Sequence, residues 1–255
     1  FVDIPHLLIC QGHQLTPHQH RHHFASGFGG DRINPGMNFD ACGNAQHRGG
    51  ITNRMTDITG RAIATGGAVV AGVRPDQLTV PTPCTEMNVR MLLAHLVGAL
   101  DRVAALGNGE SPLAVTETSV ADELWPAAWT ESGRRAADAW SDDAVLERRM
   151  ALPWIEGSGA EVLATYFSEL TVHTWDLATA TGQQPDWDDI VVDAALGARQ
   201  ILPAENRLAF YEQVTAARGL DEVAVPFAEA VPVPDDAAPI DRLVAWNGRD
   251  PRCRP

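Results

Sequence analysis

The sequence predicts an all-α protein, a bundle of four main helices with further helices at the C-terminal end. Three observations carry this. Apolar residues recur at helical spacing in four separate stretches after Met55. Helix-start and helix-stop residues flank those stretches. No stretch shows the sustained two-residue alternation of a half-buried strand.

The first helix begins just after Met55, with Ile58, Ile63, Val69, Val70 and Val73 as its apolar members. Pro75 stops it. Gly66-Gly67 weakens it, by roughly 1 kcal/mol per glycine. Pro81-Thr-Pro83-Cys84 is a rigid connector. Asn88 is the expected N-cap of a second helix running to about Leu106 and closed by Gly107-Asn-Gly109. A third helical region covers Ala121 to about Trp140, with Pro126 near its start or as a break. Leu146 to Trp154 reads as irregular or extended. Ser158 then caps a long fourth helix that runs to about Thr181. Asp188–Leu202, Glu205–Arg218 and Ile240–Trp246 read as further amphipathic helices, the last preceded by a Pro-rich stretch.

Residues 1–54 differ from the rest. They hold seven of the nine histidines and none of the seven tryptophans, and they show no helical or strand period. They read as an extension outside the domain, either upstream sequence translated in frame or a disordered leader. A metal-binding tail through His18-Gln-His20-Arg-His22-His23 is the functional alternative. The domain itself is residues 55–255.

Composition excludes some classes of function. The formal charge is −14 and lysine is absent, which argues against nucleic acid and against an anionic membrane surface. No apolar run reaches the roughly 18 residues of a spanning helix. Cys10, Cys42, Cys84 and Cys253 are scattered, giving neither a disulfide framework nor a zinc knuckle, and a reducing cytoplasm fits.

The fourth helix carries the candidate chemistry. Val162, Tyr166, Glu169, His173 and Leu177 step along one face. Glu169 and His173, four residues apart, place a carboxylate and an imidazole one turn from each other in an apolar stripe. A buried carboxylate needs a partner, and a metal ion supplies one. The bland alternative is a Glu169 paired with arginine, or with His173 itself. After Met55 the sequence holds one other histidine, His95, mid-way along the second helix, with small neighbours Gly98 and Ala99. Two histidines and a carboxylate suit zinc and leave a coordination position open. Asp176, three residues beyond His173, either accepts a hydrogen bond from a ligand imidazole or is a surface carboxylate or a salt-bridge partner. Trp175 reads as packing, Cys84 as structural and Arg134-Arg135 as a solvated face.

Two stretches resemble a known family. Pro81-Thr-Pro-Cys-Thr-Glu-Met-Asn-Val-Arg-Met-Leu-Leu-Ala-His95-Leu-Val-Gly98 and Glu169-Leu-Thr-Val-His173-Thr-Trp-Asp176-Leu-Ala-Thr-Ala-Thr-Gly182-Gln183 are similar to two signatures of the mycothiol-dependent maleylpyruvate isomerase-like, DinB-like metal-binding proteins. The tail from Phe227 to Pro251 resembles the closing segment of a single-domain branch. Met87, Met91 and Leu78 depart from the family pattern, and the isomerase's extra C-terminal domain has no counterpart here. The resemblance implies a DinB-like four-helix bundle and a divalent metal on His95, Glu169 and His173. It also implies a small thiol, mycothiol, as co-substrate with a small-molecule electrophile, for S-transfer or isomerisation. A non-catalytic metal-containing module that binds a ligand or a protein partner is the alternative. Similar bundles often pair through helices, which puts a homodimer among the expected partners, although no exposed stripe argues for it.

Overall fold

A computed structural model describes residues 45–252 except 117, 218, 220, 222, 224 and 226. The expectations for residues 1–44, including the His18–His23 tract, fall outside the described residues. In chain order the helices are α1 (Ala45–Ala71), α2 (Val89–Asn108), α3 (Trp125–Ala139), α4 (Asp143–Glu147), α5 (Gly159–Thr181), α6 (Asp189–Gly197), α7 (Arg207–Ala217) and α8 (Pro239–Trp246). The strands β1 (Arg149–Leu152) and β2 (Ile155–Ser158) lie between α4 and α5. The architecture is the expected all-α bundle: α1, α2, α3 and α5 pack on one another, and α6 and α8 cover α5.

Local chemistry sets the helix ends. The Asn88 side chain accepts a hydrogen bond from the Met91 amide at 3.0 Å and opens α2. Gly109 closes it in the left-handed region, at φ 80°. Ser158 and Glu161 form a reciprocal capping box on α5, the Glu161 carboxylate accepting from the Ser158 amide at 2.7 Å. Pro126 sits in the first turn of α3, where its missing N–H costs nothing. The extended stretch around Leu146–Trp154 resolves into α4 and an antiparallel hairpin whose register pairs Leu152 with Ile155 across a two-residue turn.

One boundary differs from expectation. α1 begins at Ala45, ten residues before Met55. The apolar period does not extend there, but propagating a formed helix is far cheaper than nucleating one. The glycine pair expected to weaken α1 has a packing role. A Cβ on Gly66 would lie 2.5 Å from the Trp129 ring, and one on Gly67 would lie 2.9 Å from it. Their absence lets the indole of α3 lie against α1 and donate to the Ile63 carbonyl at 3.0 Å.

α2 and α5 form the centre. Leu92, Leu93, Leu96 and Leu100 are fully buried, each contributing about 1.5–3 kcal/mol by removal from water. α5 is buried on nearly every side, as a helix surrounded by others must be. Of the residues departing from the family pattern, Leu78 joins the core, Met87 packs at its edge and Met91 is exposed. At the start of α7, Arg207 gathers the tail. Its guanidinium donates to the carbonyls of Pro203 at 2.7 Å, Trp246 at 2.5 Å and Ala228. Among the described residues no helix is long and apolar enough to cross a membrane.

Candidate metal centre

α2 and α5 bring His95, Glu169 and His173 together inside the bundle. His95 Nε2 lies 3.2 Å from Glu169 Oε1. The His95 and His173 rings meet edge to face, with centroids 4.8 Å apart. All three residues are buried, His173 completely. Yet His95 Nε2, His95 Nδ1, Glu169 Oε1 and His173 Nε2 have no hydrogen-bond partner among the described residues. The 3.2 Å approach of His95 to Glu169 is close enough for charge to act but is not aligned as a hydrogen bond. Each of the three candidate ligands therefore offers a buried, unsatisfied donor or acceptor to the same interior region. Such atoms are costly to leave unpaired.

The other face of His173 is satisfied. Its Nδ1 lies 3.0 Å from Asp176 Oδ2, and Asp176 is fully buried, not the surface carboxylate of the bland alternative. Arg249 grips the same carboxylate, with Nη2 3.0 Å from Oδ2 and Nε 3.3 Å from Oδ1. Burial alone would push the Asp176 carboxyl up. The Arg249 charge and the hydrogen bonds from His173 and Arg249 outweigh burial and hold it below its ordinary value. Burial pushes His173 down, toward the neutral ring. An ionised carboxylate can only accept, so Nδ1 carries the proton and Nε2 presents a lone pair. That is the tautomer a metal-binding imidazole requires.

Glu169 is held in its charged form. Burial, the largest single cause, raises it, but His95, the Arg102 charge and His173 together outweigh burial, and the net direction is downward. A carboxylate and two imidazoles with free lone pairs fit a divalent ion such as zinc by donor chemistry.

A tighter group of potential ligands also exists. The ligand atoms of Cys84, His173 and Asp176 lie within 4.8 Å of one another. This group is already spent. Cys84 is disulfide-bonded, so its sulfur is no thiolate, and Asp176 is committed to His173 and Arg249. This single bridge is one that the expectation of no disulfide framework did not include. Scattered cysteines carry no spacing signal, and only the fold decides which of them meet.

Sequence reasoning missed Arg249 and Phe227. Phe227 stacks on His173 with centroids 6.1 Å apart, and the Arg249 guanidinium lies 5.2 Å from the Phe227 ring centre. Both belong to the tail segment that carried part of the resemblance, but no spacing rule links them to α5. Trp175 is buried in the core, as read. Arg134 and Arg135 pair with exposed Glu131 and with Asp138 and Asp101 on the surface.

Comparison with known proteins gives a family match over part of the chain. The family model of the mycothiol maleylpyruvate isomerase N-terminal domain matches residues 59–178, the span holding all three candidate ligands and Asp176. Two curated relatives, uncharacterized proteins of Mycobacterium tuberculosis strains CDC 1551 / Oshkosh and H37Rv, are each 29% identical over 186 residues. The alignments cover 72% of this chain and 92% of each relative. No solved structure matches the chain.

Proposed function

We propose that the protein, whose residues 59–178 match the family model of the mycothiol maleylpyruvate isomerase N-terminal domain, holds one divalent metal ion, zinc, on His95, Glu169 and His173. We assign to the site the binding of a low-molecular-weight thiol, mycothiol, for transfer to a small electrophile or for isomerisation through a transient adduct. The observation that carries the metal assignment is the set of orphaned buried atoms, His95 Nε2, Glu169 Oε1 and His173 Nε2. Bound there, zinc supplies Lewis acidity that lowers the pKa of a coordinated thiol.

The chain's own residues do the rest. Asp176 fixes the His173 ring and its tautomer. Glu169 contributes the single negative charge of the ligand set. The surrounding leucines of α2 keep bulk water away and so strengthen the electrostatics. Burial first, and the Glu169 charge second, hold the Tyr166 phenol well above its ordinary range, so it stays protonated beside the site. A thiol co-substrate goes with a cytoplasmic setting, although a persistent disulfide at Cys84 favours oxidising surroundings.

A second reading has one observation in its favour. Among the described residues no carboxylate or imidazole at the site is left over to act as a general base once Glu169 and both histidines are ligands and Asp176 is paired with Arg249. A metal-containing module that binds a thiol, a small ligand or a partner without turnover fits that arrangement.

The test is zinc content of the full chain against His95→Ala, Glu169→Gln and His173→Ala. Any zinc taken up by the histidines before residue 55 is common to every variant, so the difference is what matters. Each substitution is expected to remove one equivalent. Unchanged zinc content in His173→Ala overturns the assignment. Turnover across thiols and electrophiles then separates enzyme from binding module.

A further inference from the structure

One charged group in the interior keeps an edge without a hydrogen-bond partner among the described residues. Arg102 lies on α2 seven residues after His95, two turns along the same face. It is 2% exposed. Its side chain runs back along the helix over Gly98, where a Cβ would sit 3.6 Å from Nη1 and 3.8 Å from Nη2. Gly98 is itself three residues after His95, so the guanidinium lies next to the level of the candidate metal ligands. Across the interface, Tyr166 and Glu169 of α5 both feel its charge.

Arg102 Nε and Nη2 are buried and have no hydrogen-bond partner among the described residues. The contrast with the other buried arginines is sharp. Arg207 spends its nitrogens on three carbonyls, and Arg249 spends its own on Asp176 and the Asn247 carbonyl. Nε and Nη2 form one edge of the guanidinium, the edge that meets the two oxygens of a planar anion in parallel. A buried guanidinium with that edge unpaired is an expensive arrangement unless a ligand completes it.

We propose that Arg102 is an anion-binding residue that takes a carboxylate side-on through Nε and Nη2, so that the small molecule acting at the metal centre is one that bears a carboxylate. The location of this anion site beside the reacting centre rests on the metal reading above; the binding of the anion does not. Gly98 is the enabling position, since the absence of a side chain there lets the guanidinium lie close to the helix. Phosphate and sulfate share the two-oxygen edge and are distinguished by the test. The rival role for Arg102 is a counter-charge for Glu169 alone.

The experiment is calorimetric titration of the zinc-loaded full chain with acetate and, separately, with inorganic phosphate, with zinc content measured on the same samples. The variants are Arg102→Gln and Arg102→Lys. Arg102→Lys keeps the charge beside Glu169 but loses the fork, and so remains informative if Arg102→Gln does not fold. Acetate is expected to bind the wild type and to bind either variant about tenfold more weakly or worse, the scale of one lost charge-assisted hydrogen bond, with zinc content unchanged. Absence of acetate binding to the wild type overturns the proposal, as the counter-charge role would require. Equal binding to wild type and variants also overturns it, because acetate would then sit on zinc or elsewhere. Preference for phosphate with the same Arg102 dependence overturns the carboxylate assignment. A chain without zinc that still binds acetate through Arg102 separates the fate of this proposal from that of the metal reading.

Discussion

Arg249 grips Asp176 with two nitrogens, at 3.0 and 3.3 Å, and so ties the tail of the chain to the helix that carries two of the candidate ligands. Both groups are buried, and 73 residues separate them. Asp176 in turn holds His173. Removing one member of a buried pair leaves an uncompensated charge and costs about 3–5 kcal/mol. Arg249→Met is therefore expected to lower stability by that amount, measured by chemical denaturation. Asp176→Asn strands the guanidinium in the same way. It is also expected to weaken zinc binding about 10–100-fold, since the ligand imidazole loses its charged acceptor. Unchanged stability in both variants would show that the pair contributes nothing net.

The same group sets a pH dependence. His173 faces Asp176 on its own helix, His95 from α2, and Arg249 and Phe227 from the tail. Burial depresses its folded pKa below the ordinary 6.5. The unfolded chain then binds more protons than the folded one, so stability rises with pH. The contribution is complete above the unfolded value and is lost as pH falls through the folded one. Asp176 and Glu169 are also depressed and add a further loss at lower pH. Zinc-free protein is expected to lose stability on going from pH 7 to pH 5, and His173→Gln is expected to flatten the upper part of that profile. Thermal melts across the range check both.

The parts of this arrangement legible in the sequence are those with a local cause. Asn88, Gly109 and Ser158 mark helix ends because their chemistry acts within one turn. Glu169, His173 and Asp176 share a face because helical geometry is periodic. His95 was found by scarcity, two histidines after Met55, which is a weaker argument than spacing. Arg249 and Phe227 escaped because their contacts are made by the packing of a Pro-rich tail that has no period. Arg102 escaped for a different reason. An arginine at i+7 from a histidine reads as a solvated residue, and only burial without a partner makes it notable. The Cys84 bridge depends wholly on which loops the fold brings together.

The glycines of α1 make opposite predictions from the same residue type. Gly60 has nothing within 4 Å of a built Cβ. Gly60→Ala is expected to stabilise by roughly 0.5–1 kcal/mol through helix propensity. Gly66→Ala gains the same propensity but drives a methyl to 2.5 Å from the Trp129 ring. Overpacking of that kind typically costs about 1–3 kcal/mol, so the net effect is expected to be destabilising. Equilibrium denaturation of the two variants should move in opposite directions. Movement of both in the stabilising direction would show that Trp129 yields without cost.

Asp188 joins α6 to α1 through two separate functions of one carboxylate. Oδ1 accepts from the Ile190 and Val191 amides at 3.0 and 3.3 Å and so caps α6, while Oδ2 accepts from Arg61 Nη1 at 2.9 Å. The hydrogen bond from Arg61 is the main cause that holds its pKa below the ordinary carboxylate value, with the amides adding to it. Asp188→Ala removes the cap and is expected to cost about 1 kcal/mol, whereas Asp188→Asn keeps the cap and loses only the exposed ion pair, worth about 0–1 kcal/mol. The sign with pH follows from the depressed pKa. The charged form is preferred in the folded state, so the contribution is present above the unfolded value and is lost as pH falls through the folded one. The stability difference between wild type and Asp188→Asn should therefore narrow in acid and shrink with added salt. A difference independent of both would mean that the Arg61 contact contributes through packing and not through charge.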